Sequence, residues 1–422
     1  MPVEHDTTAD VGTDPARISH RVALVACPTY DPEHLRAAIE QALGLAGSPD
    51  VAGKTVLVKP NMLGSAGIDR AVSTHPELLR AVIRAIRSRG AREVLVGDSP
   101  AFQSTDFVGQ FNGLKPVAPE EGAVWTDFAD GVRLDAPGGA LVRSFEVAGA
   151  VLRADMVISL SRLKTHSAMY FTGATKNLFG VIPGLRKSQL HLRFPRKSEF
   201  GAMLADLAAA LPPTYSIMDG IVAMEGEGPY NGTPRKLGVR LAGASVYASD
   251  WVASSMIGYN PMDIPYLKAA AASPACGFDP ALVQTVGISP ANVDTAGFKK
   301  IRIVPGDDLA AGEGSDGFLS RMSRTLVRNL TVPRPFIKQK ECVLCGSCVR
   351  ICAANAITCV RSPRGSIPGD TAANAATASG ADTATGTTER CCVSIDYSLC
   401  IRCYCCHEVC PEGAIALRRR LF

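Results

Sequence analysis

Eight cysteines near the C-terminus fall into two copies of one spacing, and thiolates at this spacing can bind iron–sulfur clusters. The two copies are Cys342-x2-Cys345-x2-Cys348-x3-Cys352 and Cys400-x2-Cys403-x2-Cys406-x3-Cys410, the second followed directly by Pro411. Thiolate sulfur is a soft ligand, and a C-x2-C-x2-C run brings three thiolates round one corner of an iron–sulfur cube. The fourth cysteine of each run reaches the other cube. The spacing therefore predicts two [4Fe-4S] clusters that carry electrons.

Two other uses of cysteine fit this spacing less well. Disulfides suit small secreted chains, and from Met1 onward the sequence shows no basic segment, apolar segment and cleavage site of a signal peptide. Structural zinc generally uses two C-x2-C pairs separated by a loop. Fourteen cysteines without a secretion signal also indicate a reducing, cytoplasmic setting.

The C-terminal region, about 338–420, resembles the bacterial two-cluster ferredoxins. The repeat extends past the cysteines, because Ala356-Ile357 recurs as Ala414-Ile415 at the same offset. Ala353 stands in the first copy where Pro411 stands in the second. The resemblance implies that each cluster takes three ligands from one run and the fourth from the other: Cys342, Cys345, Cys348 and Cys410 for one cluster, and Cys400, Cys403, Cys406 and Cys352 for the other.

An insert separates the two copies inside the predicted ferredoxin domain. Residues 362–390 are mostly Ala, Thr, Gly, Asp and Ser, with one isoleucine and no aromatic residue. Such a segment cannot bury enough apolar surface to offset its ordering entropy, so we expect a disordered loop. The expected organisation is a disordered tail at 1–19, an α/β domain at 20–320, a linker at 321–337 and a ferredoxin domain at 338–422.

The composition is that of a soluble chain with a sizeable core, 46% hydrophobic and 20% charged. No apolar run reaches the roughly 18 residues that span a membrane. The formal charge of +4 falls to roughly 0, since each oxidised cluster with its thiolates carries about −2. Basic residues gather at 321–340 and 418–420 without the aromatic–basic interleaving of single-strand-binding proteins. This favours a role in balancing the cluster charge or docking an acidic electron donor over nucleic-acid binding.

Apolar runs alternate with helical patterns over the first three hundred residues. A β-α-β-α-β series with buried strands predicts an α/β fold, a mostly parallel sheet covered by helices with Rossmann-like layering, beside a small α+β ferredoxin-like domain. Asp31 is expected to cap the first helix, and Thr74-x-x-Glu77 has the spacing of a capping box for the second. Strands are predicted at 22–26, 55–58, 93–96, 156–160, 215–218, 237–241 and 300–304, with later helices at 200–211, 250–257 and 263–272.

Polar residues follow the predicted strands, where open α/β sheets bind ligands. We predict a pocket whose catalytic residues are His166, Lys164 and Lys176 and whose substrate-binding residues are Lys59, Asn61, Asp98, Thr165 and Asn177. Each has a structural alternative: Lys-Pro-Asn is a common turn, and Asp98 before Ser99-Pro100 can cap a helix. Cys27, at the end of the first strand, is interpreted as a small buried hydrophobe. The sequence lacks a full G-x-G-x-x-G and a Walker A motif.

Three of these segments resemble a known family. They are Val58-Lys59-Pro60-Asn61, Leu163-Lys164-Thr165-His166 with 172–180, and Met224-Glu225-Gly226-Glu227-Gly228-Pro229. They are similar to the family catalogued as domain of unknown function 362, whose members often carry a C-terminal two-cluster ferredoxin module. The resemblance covers about 20–420 apart from the insert. It implies a cytoplasmic iron–sulfur protein and supplies no reaction.

The leading functional hypothesis is a ferredoxin-type iron–sulfur reductase. Electrons enter from an external donor (a ferredoxin, flavodoxin or reductase) and leave for a small-molecule acceptor, anionic or carbonyl- or quinone-like, on the α/β domain. His166 supplies a proton, because its ordinary pKa lies near neutrality, and the two lysines stabilise an oxyanion. The alternative is a non-catalytic electron-transfer or assembly partner that docks another enzyme through the same residues. A mononuclear metal or flavin in the α/β domain lacks a recognisable motif.

Overall fold

The computed structural model describes residues 20–100, 103–303, 332–362 and 390–418. The chain divides into two compact units, 1–187 with 196–303, and 188–195 with 304–422. The predicted tail, and the predicted insert apart from its end residues Ser362 and Arg390, lie outside the described residues. In the described ranges, no helix is both long and apolar enough to cross a membrane.

The first unit is built on a mixed, mostly parallel sheet, which confirms the predicted fold class. The strands are β1 (Arg21–Ala26), β2 (Thr55–Lys59), β3 (Glu93–Val96), β4 (Val124–Trp125), β5 (Val132–Asp135), β6 (Ser144–Val147), β7 (Met156–His166), β8 (Tyr170–Thr172), β9 (Thr214–Glu225), β10 (Thr233–Gly243) and β11 (Gln284–Gly287). The sheet order is β11-β1-β10-β9-β7-β2-β3-β4, with β8 paired to β7 and a separate β5–β6 hairpin. Strands β4, β3, β2, β7 and β9 are mutually parallel, and β10 runs antiparallel to both of its neighbours.

Helices cover this sheet. They are α1 (Pro32–Ala46), α2 (Pro76–Ser88), α3 (Thr105–Phe111), α4 (Leu114–Glu120), α5 (Gly149–Arg153), α6 (Ala174–Asn177), α8 (Lys197–Ala210), α9 (Val246–Met256) and α10 (Pro265–Ala272). Helix α7 (Arg186–Arg193) begins at the end of a segment of this unit, and its residues from 188 onward belong to the second unit. Buried side chains of α1 and α2 share one core with Val56, Val58, Leu160, Ile217 and Ala242. Because successive strand side chains alternate between faces, Lys59 next to Val58 belongs to the opposite face.

Two central strands are longer than their apolar runs predict. Strand β7 continues through Lys164, Thr165 and His166, and β9 continues past Asp219 to Glu225. The two strands pair along this extension, with Arg162 opposite Asp219, so the ladder carries polar residues that are nevertheless buried. The prediction that these residues lie on loops after the strands is therefore wrong. Residues 300–303 form no strand, which also corrects the sequence-based expectation.

One helix cap is confirmed and one is not. Asp31 accepts hydrogen bonds from the backbone N–H of Glu33 at 2.9 Å and of His34 at 3.3 Å. Thr74 does not close a capping box, because His75 is the N-cap residue and its Nδ1 accepts from the Glu77 N–H at 3.2 Å. The Thr74 hydroxyl instead donates to the Leu160 carbonyl at 3.1 Å, which ties the start of α2 to β7.

The second unit contains both cysteine runs, and the strands that flank one run pair with the strands that flank the other. Its elements are β12 (Arg334–Ile337), α11 (Ser347–Ile351), β13 (Ile357–Ser362), β14 (Arg390–Ile395), α12 (Cys405–Glu408) and β15 (Ile415–Arg418). The strand before the first run pairs with the strand after the second (β12 with β15), and the strand after the first pairs with the strand before the second (β13 with β14). Strand β12 lies inside the stretch predicted as a linker. Ser362 pairs with Arg390, so the insert joins the ends of a hairpin.

Candidate functional site

The two cysteine runs have the same backbone path. Three pairs of equivalent residues have positive φ angles: Leu344 and Arg402 (58° and 60°), Gly346 and Tyr404 (72° and 65°), and Asn355 and Gly413 (50° and 61°). Left-handed residues are rare outside glycine, and they turn successive N–H groups toward one side, where they can face an anion. The repetition shows that both runs fold into the same loop, which the sequence spacing alone did not reveal.

Four cysteines from both runs line one recess. They are Cys342, Cys345, Cys348 and Cys410, with apolar walls from Ile337, Val343 and Ile415. Burial, together with these neighbouring sulfurs, raises the pKa of the Cys348 thiol to about 11. Four thiolates this close repel one another, and iron bound between them would offset that repulsion. The recess therefore fits the predicted ligand set of one cluster.

The remaining cysteines gather in the same unit. Burial, followed by the nearby sulfurs of Cys403, Cys400, Cys348 and Cys352, raises the pKa of the Cys406 thiol. The last cysteines of the two runs also match, because Cys352 Sγ accepts the Ala356 N–H at 3.2 Å and Cys410 Sγ accepts the Ala414 N–H at 3.3 Å. No disulfide joins the described cysteines. The donor set fits a second cluster, and the assignment of ligands to each cluster remains a prediction.

In the α/β unit, Lys59 and Asp98 form a buried ion pair at the ends of β2 and β3. Lys59 Nζ lies 2.7 Å from Asp98 Oδ1 and donates to the Pro60 carbonyl at 3.0 Å and to Asn177 Oδ1 at 3.2 Å. Asp98 Oδ2 accepts the Met62 N–H at 2.7 Å. Burial lowers the pKa of Lys59, and the charge of Asp98 opposes this shift. The structure thus joins three predicted substrate-binding residues directly.

A buried carboxylate positions the turn that carries Lys176 and Asn177. Asp250 accepts the N–H groups of Ala174 at 2.6 Å and Thr175 at 2.9 Å, and a Cβ on Gly173 would overlap this carboxylate. Burial raises the pKa of Asp250 to about 7, against the opposing effect of those two N–H groups. Asn177 in turn donates to the Lys59 carbonyl at 3.2 Å and to Ser159 Oγ at 3.1 Å.

Lys187 is a site residue that the sequence did not indicate. Its Nζ donates to the carbonyls of Ile182 at 2.7 Å and Ser99 at 2.8 Å and to Ser99 Oγ at 3.0 Å. Burial lowers its pKa to about 7, the charge of Asp98 opposes this shift, and the charges of Lys59 and Lys176 reinforce it. Lys59, Lys176 and Lys187 therefore share an environment with one carboxylate, and only their proximity in the fold reveals the group. We call these four residues the lysine site.

Lys164, Thr165 and His166 are buried on β7, in a different set of contacts. Lys164 Nζ donates to the Val72 carbonyl at 2.5 Å, and Thr165 Oγ1 donates to the Gly226 carbonyl at 2.8 Å. His166 Nδ1 accepts the N–H groups of Ala168 at 3.1 Å and Met169 at 3.3 Å. Since Nδ1 accepts, the neutral ring carries its proton on Nε2. Asn61, another predicted residue, donates its N–H to Thr74 Oγ1 at 2.8 Å.

A row of charged residues crosses the other face of the sheet. Asp219 on β9 is paired with Arg162 on β7 and with Arg240 on β10. Each of the three lies two residues from a core residue of its own strand, so all three lie on the face that packs against the core: the core residues are Leu160, Ile217 and Ala242. Arg162 Nη2 lies 3.0 Å from Asp219 Oδ2, and all three side chains are buried. Arg162 and Asp219 lie just past the predicted strands 156–160 and 215–218, but no sequence pattern marked Arg240. We call these three residues the arginine row.

The fold and these sites define the class: an iron–sulfur protein with an α/β unit and a 4Fe-4S binding unit. The family model described as domain of unknown function (DUF362) matches residues 56–255, and the model described as 4Fe-4S binding domain matches residues 393–416. The thylakoid-associated protein sll1697 of Synechocystis sp. is 33% identical over 252 residues, which are 59% of this chain and 78% of that protein. The chain therefore belongs to the DUF362 family, and its 4Fe-4S domain implies at least one iron–sulfur cluster and electron transfer.

A solved structure of a protein from Thermotoga maritima is more distant. It superposes with a TM-score of 0.31 and 13% identity, over 51% of this chain and 56% of that chain. A likeness at this level supports no argument about fold or function.

Among the described residues, no group of three or more His, Cys, Asp or Glu side chains is placed to hold a single metal ion.

Proposed function

We propose that this protein is a cytoplasmic iron–sulfur oxidoreductase whose two [4Fe-4S] clusters pass electrons to a small acceptor on the α/β unit. The observation that supports an acceptor-binding site on the α/β unit is the lysine site. Lys59 and Lys187 are buried, Lys176 is half-buried, and Asp98 is the carboxylate among them. This excess of positive charge lies where parallel strands end, which is where open α/β sheets bind ligands. It favours an acceptor that is anionic or develops negative charge on a carbonyl or quinone oxygen.

Two clusters match the electron count of such a reaction. Each cluster carries one electron, so a pair of clusters supplies the two electrons that reduce a carbonyl, quinone or activated double bond. Support for the second cluster comes from the repeated backbone path and from the exchanged strands, which link both runs into one fold. The external donor is a ferredoxin, flavodoxin or reductase.

The side chains suggest how charge and protons are handled. Lys176 is the most accessible of the three lysines and contacts the acceptor oxygen, while Asn177, fixed by Lys59 and Ser159, orients it. Lys187 supplies a proton, because its pKa of about 7 leaves both protonation states populated at neutral pH. His166 donates from Nε2, and Lys164 acts beside it as a second positive charge.

Burial argues against a docking surface built from these residues. Lys59, Lys164 and His166 are each no more than 1% exposed, so a partner protein could not contact them without opening the unit. A docking surface needs its charged residues in solvent before binding. The non-catalytic alternative predicts that no small molecule reoxidises the clusters faster in wild type than in variants of these residues.

The test is reoxidation of the reduced protein. The full chain is purified anaerobically, reduced with dithionite and freed of excess reductant. It is then mixed with oxo-carboxylates, quinones or enones while the cluster absorbance is followed. We expect one class to reoxidise wild type at least tenfold faster than the His166→Ala, Lys164→Ala double variant and the Lys176→Gln variant. Lys54→Gln, at an exposed ion pair with Asp50, is the matched control. Equal rates for every acceptor in all variants would refute the proposal.

A further inference from the structure

The arginine row carries more positive charge than its neighbours balance. Arg162 and Arg240 flank the single carboxylate of Asp219, and the three side chains are no more than 2% exposed. Burial lowers the pKa of His75 to about 4 and raises the pKa of the Cys27 thiol, so both groups are neutral at pH 7. Tyr30 is also neutral, because burial raises its pKa. A buried positive charge without a partner is strongly unfavourable.

The acceptors of Asp219 are committed to other groups. Its carboxylate takes the Tyr30 hydroxyl at 2.9 and 3.1 Å, the Ile221 N–H at 3.0 Å and Arg162 Nη2 at 3.0 Å. By contrast, none of the three guanidinium nitrogens of Arg240 donates to an oxygen or nitrogen acceptor among the described residues. Asp219 and Cys27 both favour the charged form of Arg240, Cys27 also as an acceptor, but a protonated thiol is a weak acceptor and brings no negative charge.

The thiol of Cys27 does not supply the missing negative charge. Its sulfur lies 3.5 Å from the Thr29 carbonyl oxygen, to which it donates, and 3.9 Å from the His34 carbonyl oxygen. A thiolate in this place would face two carbonyl oxygens of like partial charge. The position therefore favours the protonated thiol, and the balancing anion has to come from outside the chain.

The surroundings of Arg240 suit an anion. Tyr30 and His75 directly precede the capped N-terminal turns of α1 and α2, and their rings stack at 3.7 Å between centroids. The N-termini of two helices of 15 and 13 residues thus approach the same end of the sheet, where helix dipoles favour negative charge. Pro28 and Thr29, which directly follow Cys27, are exposed.

We propose that Arg240 is the centre of a second ligand site, which binds a small oxyanion (a carboxylate or phosphate) on the sheet face opposite the lysine site. The planar guanidinium matches an oxyanion with two parallel N–H bonds, and Arg162 adds a second positive charge. The bound anion neutralises the arginine row. This inference does not depend on the proposed reductase activity, because it rests on different residues and on the other face.

The test is the thermal midpoint of the full holoprotein during titration with inorganic phosphate or acetate, against chloride at equal ionic strength. A ligand that binds only the folded state raises the midpoint with concentration. We expect this rise in wild type, and we expect Arg240→Met to lose it. Arg235→Gln, on the same strand but partly exposed, is the matched control and keeps the rise. Lys176→Gln keeps it too, which separates this site from the lysine site.

A second variant covers the case in which Arg240→Met does not fold. Cys27→Asp places a fixed carboxylate beside Arg240, so we expect a higher midpoint without added anion and no further response to phosphate or acetate. The proposal is overturned if wild type shows no response beyond that to chloride, if Arg240→Met responds like wild type, or if Cys27→Asp keeps the full response. A difference between phosphate and acetate identifies which oxyanion the site prefers.

Discussion

Lys59 Nζ lies 2.7 Å from Asp98 Oδ1 in an ion pair whose side chains are 0% and 3% exposed. The two residues lie close together because β2 and β3 are adjacent and parallel, so the carboxyl ends of both strands lie at the same edge of the sheet. Asn177 completes the contact from a different part of the chain. The pair is thus both the electrostatic centre of the lysine site and a structural link between three segments.

Removing one partner of this pair should be costly. Asp98→Asn leaves a buried, unpaired ammonium, and we expect the free energy of unfolding to fall by about 3–5 kcal/mol. The Lys59→Met, Asp98→Leu double variant should recover part of this loss, since no buried charge remains. Urea unfolding of the single and double variants measures the coupling. Asp50→Asn, which breaks an exposed pair with Lys54, should change stability by less than about 1 kcal/mol. Equal effects at Asp98 and Asp50 would contradict this prediction.

Gly180 should not tolerate a side chain. A Cβ there would overlap the Asp98 carboxylate and lie 2.7 Å from Lys59 Nζ, so Gly180→Ala has to displace the ion pair. We expect a loss of about 1–3 kcal/mol in the free energy of unfolding. At Gly44, inside α1, an added Cβ would meet no other atom within 4 Å, and Gly44→Ala should stabilise by about 0.5–1 kcal/mol. Opposite signs for these two substitutions are the outcome to look for.

Because each cluster is predicted to take its fourth cysteine from the other run, loss of that cysteine should lower the iron content. Cys410→Ser removes a sulfur that shares a recess with Cys342, Cys345 and Cys348 of the other run. We expect iron to fall from roughly eight to four or fewer atoms per chain. Cys359→Ser, at an exposed cysteine outside both runs, should keep the wild-type value. Iron and sulfide analysis with electron paramagnetic resonance checks this, and full iron content in Cys410→Ser would refute the assignment.

Lys187 should make stability depend on pH above neutrality. Its pKa is about 7 in the folded protein and 10.5 as the ordinary value, so the unfolded chain binds more protons between these two pH values. Stability therefore rises with pH in this window, by about 1.4 kcal/mol per pH unit at most, and the contribution is constant below pH 7. The difference in urea stability between wild type and Lys187→Met should change by this slope. A flat difference from pH 7 to 10 would show that Lys187 keeps its ordinary pKa.

The insert should be dispensable for the clusters. Ser362 and Arg390 pair directly, so an Asn-Gly turn in place of 363–389 closes the same hairpin. We expect unchanged iron content and a gain of about 2 kcal/mol from the smaller loop-closure entropy. Unfolding monitored by cluster absorbance measures the gain. Loss of iron in the shortened chain would mean that the insert contributes to the cluster site.

Much of the second unit could be predicted from local sequence. The ligand spacing and the Ala-Ile repeat indicated two equivalent halves, because cluster ligation imposes a short and fixed separation on cysteines. The pairing of β12 with β15 joins residues about eighty positions apart, and no local pattern encodes it. In the α/β unit, alternating apolar runs predicted a mostly parallel sheet, since buried strands must be apolar.

The same argument failed for β7 and β9, where buried positions are polar. Lys164, His166 and Asp219 are buried because partners from distant segments satisfy them, so hydropathy placed them on loops. The sequence by itself determined the iron–sulfur chemistry, the fold class and several members of the lysine site. Only the tertiary structure decided that Lys187 joins Asp98, and that Arg162, Asp219 and Arg240 form one row. The physical reason is that ligand spacing and apolar periodicity are local, whereas the balance of buried charge depends on which strands become neighbours.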